Sequence, residues 1–436
     1  MAIPRKPIQT VRQFAREHAL FRPGPLLVAL SGGTDSTALL LVLAELADDL
    51  GLVLHAAHFD HRTRPRAAAQ DAQYVADLAA RCGAQLRIGR AEAKPASEDA
   101  ARTARYAFLR RVAAEIGATA IATGHTRDDQ AETVILHAAR GSGLAGLAAM
   151  RASRDGIVRP LLPLGREDTA AICTGARVEP REDPTNRSLR FARNRVRHKV
   201  MPELAKLNPR ASEALARLAT SAGEALDALR AMAERALESS RDGDAIDLAR
   251  LGDDATLREE ALAIAWERAT GRALAARARA ALAAEAARGD GSASLDLPGG
   301  RAVREYGRLR IVADQARAEV AEAASGELAL EPERAIEWSG WTLLLTSLPA
   351  ADGWTSEAAA PDPHTGLIVR ARRPGDRMAG ETRAKLQDVL TDAKVPALRR
   401  DAQPLVVTTS GEVWWVPGVT SRTPSGKWRI FAKRSR

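Results

Sequence analysis

Cysteine is nearly absent: the 436-residue chain has two, Cys82 and Cys173, far apart and neither in a CxxC pair. That is poor material for a disulfide framework, a zinc site or an iron–sulfur cluster, and both read as buried or incidental thiols. No apolar run reaches membrane-spanning length. The stretch MAIPRKPIQTVRQFAREHALF carries charge throughout and holds no apolar signal core, so a cytoplasmic protein with no membrane association is expected. Lysine is scarce too, eight residues against 56 arginines. With the abundant alanine this partly reflects genome composition, so arginine richness alone argues for no function. No low-complexity tract or regular repeat occurs.

What is present is 45% hydrophobic residues in a length too great for one ordinary core, so two or three domains are expected. The net charge of +9 is unevenly placed. Residues 367–436 hold fifteen Lys/Arg and six Asp/Glu, and the remainder of the chain is balanced. A local basic surface of this kind suits a polyanion. Up to about residue 160, short apolar strands (26–30, 52–59, 84–91, 118–124, and IVRPLL at 157–162) alternate with amphipathic helices. That alternation predicts an α/β fold with a doubly wound parallel sheet, whose ligands bind beyond the carboxyl ends of the strands. From about 210 the texture becomes helical, LDLPGGRAVREYGRLRIV reads as strand–turn–strand, 320–366 is irregular, and 367–436 is a small β-rich module. The expected division is 1–210, 211–320, a linker over 321–366, and 367–436.

The stretch LLVALSGGTDST (26–37) puts a Ser-Gly-Gly turn between a strand and a helix. Glycines let backbone amides converge and the helix end adds partial positive charge, which makes an anion site. Ser31, Gly32, Gly33, Thr34, Asp35 and Ser36 form it. Asp35 repels phosphate unless a cation intervenes, so Mg²⁺ bridging is expected there. The lysine that closes GxxxxGK[ST] loops is missing. Such a lysine serves transfer of the γ-phosphate. When cleavage falls at the α-phosphate, the loop instead holds departing pyrophosphate, and the absent lysine points to AMP-forming chemistry.

SGGTDS at a strand–helix junction resembles the pyrophosphate loop of the N-type ATP pyrophosphatases, and further motifs narrow the choice. AAHFDHRTR (56–64), AARTARY (100–106), TGHTRDDQAETVILHAARGSGLAGL (123–147), RPLLPL (159–164) and EDPTNRSLRFARNRVR (182–197) occur in order, followed by LDLPGGRAVREYG, VRARRPGDRM, KLQDVLTDAKVP and WWVPG. This set resembles the bacterial tRNA(Ile)-lysidine synthase family. Three positions depart from its pattern: Thr126 stands where a second histidine is usual, and Arg62 and Thr63 where glycine and leucine are. The resemblance implies tRNA-binding middle and C-terminal domains. It also implies a ligase that attaches L-lysine to C2 of the first anticodon cytidine of tRNA(Ile) with a CAU anticodon. ATP would adenylate the C2 oxygen, and the lysine amine would then expel AMP. It says nothing of the oligomeric state.

Each candidate has a plainer alternative. Arg105 is placed at the α-phosphate, or else in a surface ion pair; Arg102 on the same helix is the less distinctive of the two. His125 at a strand end offers phosphate contact or proton transfer, against a structural turn histidine. Asp60, between His58 and His61, suits the substrate amine or the cytosine edge better than a metal. Asp129 and Glu132, one turn apart, either bind the lysine ammonium or offset the helix dipole. Within the acid-free run Arg187–Lys199, Arg195 is the candidate for ATP or the anticodon, where the default is a solvated face. The rival enzyme reading, tRNA thiolation, normally needs cysteines this chain lacks. A non-catalytic RNA-binding protein is opposed by the intact loop.

Overall fold

The computed structural model describes residues 3–434 apart from 63–64, 94–95, 182–187, 289–290, 317, 319–325, 350–352, 362–365, 381–382, 394, 396–399, 401 and 423–426. The motif residue Thr63, and all of EDPTNR with Arg187, therefore lie outside the described residues. Two compact units are formed, Met1–Ala228 and Leu229–Arg436. No described helix is long and apolar enough to cross a membrane.

In the first unit, strands β1 (Gly24–Ala29), β2 (Leu52–Asp60), β3 (Gln85–Arg90), β4 (Ala120–Ala122), β5 (Ser153–Arg154) and β6 (Ile157–Val158) form one sheet in the order β3-β2-β1-β4-β6-β5. All pairs are parallel except β5 with β6. Its helices are α1 (Arg5–Glu17), α2 (Thr34–Leu50), α3 (Pro65–Arg81), α4 (Glu98–Glu115), α5 (Arg127–Ala139), α6 (Leu144–Leu147) and α7 (Arg166–Gly175). β1 reads as an apolar run because it is central and covered on both faces. Leu26 and Val28 pack with Leu39, Leu40 and Leu43 of α2, while Leu27 packs with Tyr106, Leu109 and Val112 of α4 on the other side. Ser97 caps α4 by accepting from the Ala100 amide, and α2 stops at Gly51 in the left-handed region. The strand expected over IVRPLL is only two residues long, because Pro160 has no amide to extend it. Chain order reverses between β1 and β4, which opens a crevice at the carboxyl ends.

The second unit begins in the long helix Ala211–Ser239. Helices Ala255–Thr270 and Ala276–Ala287 pack with a five-stranded sheet around fully buried Trp266. The expected strand–turn–strand is the hairpin Gly300–Glu305 with Arg308–Ala313, flanked by Ala293–Leu297. Two four-stranded antiparallel sheets follow. Here the expectation of an irregular linker over 321–366 is corrected. Leu328–Ala329 pairs in one sheet with Leu367–Arg370, and Trp341–Thr346 and Ser356–Ala359 flank Arg429–Arg434 in the other. The strands are short and their turns rich in Gly and Pro, so no period-two signal survives in the sequence.

The motif VRARRPGDRM is explained within this module. Arg370 and Asp376 form an ion pair at 2.7 Å with side chains only 6% and 7% exposed, and the Arg373 amide donates to the same carboxylate at 2.6 Å. Burial opposes ionisation of Asp376, but hydrogen bonds and charge from Arg370 and Arg373 outweigh it, so its carboxyl titrates below the usual range. Asp376→Ala leaves a buried guanidinium unpaired and is expected to cost about 3–5 kcal/mol. The pair's contribution is complete at neutral pH and is lost as pH falls through the depressed native value. Urea unfolding of both proteins checks this: the gap between them should narrow on acidification, and a constant gap would show that the charge of Asp376 is not what stabilises the turn.

Candidate active site

The loop after β1 is held by its own hydroxyls. Ser36 Oγ accepts from the Ser31 amide at 3.1 Å and donates to the Gly33 carbonyl at 3.0 Å, with Ser31 Oγ 2.9 Å away. Gly32 has φ +89°, which disfavours a side chain there. Gly33 stands at the N-cap of α2 and offers no side chain, so the amides of the first turn have no side-chain cap and face outward as anion donors. From the other side, Arg181 closes over the loop: its amide donates to the Gly32 carbonyl at 2.9 Å and its guanidinium pairs with Asp71 at 3.0 Å. His58, at the end of β2, places Nδ1 2.9 Å from the Leu30 carbonyl. It braces the loop's entry.

Gly124 packs directly under the start of α2. A Cβ there would lie 2.9 Å from the Asp35 carbonyl carbon and oxygen and 3.0 Å from the Ser36 amide, and backbone cannot yield as a side chain would. Gly124→Ala is therefore expected to destabilise by about 1–3 kcal/mol and to weaken nucleotide binding by shifting the loop. Nucleotide titration calorimetry on the folded variant checks this, and unchanged affinity would show that the loop tolerates the shift.

Asp35 lies in the first turn of α2. Its Oδ1 accepts from Thr169 Oγ1 of α7 at 2.7 Å. Burial raises its pKa, the Thr169 bond opposes that rise, Asp129 adds to it, and Arg166 and Arg197 oppose it. A buried carboxylate whose direct side-chain partner is a neutral hydroxyl fits a cation ligand.

Asp129 and Glu132 sit at the start of α5, where Thr126 forms a capping box with Asp129. Capping is thus the use made of the threonine at the position that departs from the family pattern. Three arginines converge on the two acids. Glu132, fully buried, accepts from Arg166 at 2.8 Å, Arg197 Nε at 2.7 Å and Arg193 Nε at 3.0 Å. Asp129 Oδ1 accepts from Arg166 at 2.8 Å and Arg197 at 3.2 Å. Burial raises the Asp129 pKa, but Arg193, Arg166 and the Thr126 amide outweigh it, and the group titrates low. The two carboxylates expected either to bind the lysine ammonium or to offset the helix dipole are thus engaged by three guanidiniums. Arg195, the arginine singled out in the basic run, is exposed on the other side of its turn. Arg193 and Arg197 are the inward pair, and a π-helical turn over Val196–Val200 lies between Ala192–Arg195 and Met201–Leu207.

His125 follows β4. Its Nδ1 is 2.9 Å from Thr123 Oγ1. Burial, opposed by Asp129 and reinforced by Arg159, Arg193 and Arg102, pushes its pKa down to about 3, so the ring is neutral at physiological pH. The guanidiniums of Arg102 and Arg105 lie 4.9 and 5.4 Å from the Tyr106 ring centroid. Burial lowers the Arg105 pKa. Arg159, from RPLLPL, is buried, donates through Nη1 to the Arg151 carbonyl at 2.7 Å, and has no hydrogen-bond partner for its Nε among the described residues. Asp60, at the end of β2, pairs with exposed Arg90 at 3.1 Å and accepts from the Arg62 amide at 2.7 Å. Arg62, which stands where glycine is usual, has φ +56°, so the turn keeps the left-handed geometry that favours glycine.

The loop residues 31–36, His125, Asp129, Glu132, Arg102 and Arg105 thus gather at the carboxyl end of the sheet, and Asp60 sits at the end of the adjacent strand. Arg159, Arg166, Thr169, Arg193 and Arg197 join them without having been singled out. The i, i+4 spacing of Arg193 and Arg197 was an available signal; Arg166 and Thr169 offered none.

Residues 6–204 match the PP-loop domain model and residues 367–426 match the TilS substrate C-terminal domain model. A tRNA(Ile)-lysidine synthase of Symbiobacterium thermophilum is 38% identical over 94% of this chain and 93% of its own length. One from Pseudothermotoga lettingae is 28% identical over 94% and 90%. A solved U34-tRNA thiolase from Methanococcus maripaludis overlaps 50% of this chain and 77% of its own, with 17% identity and a TM-score of 0.43. Similarity running almost end to end at 38% identity, on a chain whose nucleotide loop and C-terminal module both match their models, settles the membership: the chain belongs to the tRNA(Ile)-lysidine synthase family.

Proposed function

We infer that this protein is the ATP-dependent ligase that forms lysidine on tRNA(Ile), releasing AMP and pyrophosphate. The observation that carries the reading is the SGGTDS loop at the switch point, with uncapped amides for phosphate and no lysine for a γ-phosphoryl transfer. The cytidine C2 oxygen is a poor leaving group, and adenylation turns it into AMP. The loop amides hold the β- and γ-phosphates as they depart. Asp35, oriented by Thr169, would hold Mg²⁺, which supplies charge neutralisation at the phosphates. Arg105, with Arg102 and Arg159, is assigned to the anionic charge that grows at the α-phosphate.

The lysine ammonium is assigned to Asp60 rather than to the arginine-locked pair. Arg90, its charged partner, is exposed and readily exchanged. Asp129 and Glu132 position Arg166, Arg193 and Arg197. Neutral His125, which would gain basicity when phosphate arrives beside it, is assigned the proton of the attacking amine. The basic residues of 367–436 are assigned to tRNA phosphates, and a cytoplasmic setting follows from that substrate.

The deciding experiment supplies ATP, L-lysine and a tRNA(Ile) transcript with a CAU anticodon. AMP formation should depend on both the amino acid and the tRNA. ADP as the stoichiometric product, or AMP release indifferent to lysine, would overturn the reading.

A further inference from the structure

The hairpin Gly300–Glu305/Arg308–Ala313 turns through two residues, Tyr306 and Gly307, with φ +50° and +77°. Both values lie in the left-handed region, as a type I′ turn requires. Asn, Asp or Gly is the economical choice at the first position, and a tyrosine there is held in an unfavourable backbone state. The turn is anchored: the Leu248 amide donates to the Gly307 carbonyl at 2.9 Å. The ring does nothing for the core, since Tyr306 is 68% exposed.

Of the described Trp, Tyr and Phe residues, only Phe191 and Tyr306 are exposed. The tryptophans of the C-terminal module are engaged. Trp415 is fully buried, Trp414 lies under the Arg422 guanidinium at 3.9 Å and donates to the Ala359 carbonyl, and Trp428 packs on the same core. Beside Tyr306 is a cavity of about 400 Å³ whose polar lining is Arg308, Arg310, Arg400 and Ser292 with the carboxylates of Asp247 and Glu305. Arg308 pairs with Asp242 at 2.7 Å, and Arg310 with Asp244 at 3.1 Å and Glu305 at 3.4 Å. The Arg308 pair is largely exposed and exchangeable. Arg400 donates through Nε to the Val395 carbonyl and has no carboxylate partner among the described residues.

An exposed aromatic face kept at a conformational cost, next to guanidiniums and a hydroxyl, has the chemistry that receives an unstacked nucleotide. We propose that Tyr306 is a stacking platform for an unpaired base of the tRNA, with Arg308 and Arg400 beside it for the adjoining phosphate. The proposal rests on the reading of tRNA as substrate.

The test uses the full chain and measures tRNA(Ile) affinity, ATP affinity and thermal unfolding for Tyr306→Phe and Tyr306→Asn. The phenylalanine variant keeps the ring and should bind tRNA within about twofold of the parent. Asparagine is at home at positive φ, so Tyr306→Asn should melt at the same temperature or higher. It should nevertheless lose about five- to a hundredfold in tRNA affinity, with ATP affinity unchanged. Equal tRNA affinity of the parent and the asparagine variant would overturn the proposal and leave the ligase reading intact. A lowered melting temperature in the asparagine variant would also overturn it, by showing that the ring is structural. If the parent itself fails to bind tRNA, the substrate reading falls first and the platform with it.

Discussion

Asp35→Asn should leave the protein folded and cut AMP formation by about a thousandfold, some 4 kcal/mol of transition-state stabilisation. The amide is the same shape and keeps an oxygen for Thr169, which donates to Asp35 at 2.7 Å. What it loses is the negative charge that would hold Mg²⁺ against the phosphates. Stability should move the other way. Burial raises the Asp35 pKa, so an ionised Asp35 opposes folding at neutral pH, and that cost disappears only as pH falls toward the unfolded value. The variant should therefore be as stable as the parent or more so at neutral pH. Single-turnover AMP release, with unfolding measured alongside, decides the matter. Near-normal release from a folded variant would remove Asp35 from the mechanism.

Glu132→Ala should be the most damaging substitution for the first unit. Its two oxygens accept from Arg166, Arg193 and Arg197 at 2.7–3.2 Å with the side chain 1% exposed. Removing it leaves three guanidiniums around the single carboxylate of Asp129, at an expected cost of about 3–5 kcal/mol. A second change separates lost charge from lost packing. Arg193→Met in the Glu132→Ala background should restore part of the stability, with a coupling of about 0.5–3 kcal/mol. If the two changes simply add, the cluster is not the electrostatic unit described. Activity should fall in both variants, because these arginines flank Asp35 and His125.

The contrast between these residues shows what the sequence can carry. The SGGTDS loop was legible because its parts are contiguous: strand, glycine turn and helix start are neighbours in sequence, and phosphate binding is done by local backbone. The arginine cage was not, because Glu132 meets partners 34, 61 and 65 residues away, and no local pattern records such distances. Within the basic run, the inward turn of Arg193 and Arg197 was hidden because like charges do not show which face turns inward until a buried acid is known to lie opposite. Hydrophobic period served well for the central parallel strands and failed between 328 and 359, where strands of two to six residues hold too few side chains to show alternation. One practical result is that a cut at 367 would pass through both C-terminal sheets. The contribution of the basic segment to tRNA binding is better measured by charge substitutions within the intact module.

Strand Arg429–Arg434 lies inside its sheet, between Trp341–Thr346 and Ser356–Ala359. Of that sheet's strands, the ribosome makes it last. The strands made earlier wait through some seventy residues of synthesis for the one that joins them, and contacts so distant in sequence form slowly. The PP-loop unit, by contrast, has its sheet complete once β6 emerges. Translation therefore yields a nucleotide-binding domain well before the C-terminal module can close, and the waiting strands present open edges during that interval. Nascent chains stalled before strand Arg429–Arg434 has left the ribosome should hold a folded first unit with an unfinished module, a state in which chaperone contact falls on the C-terminal part alone.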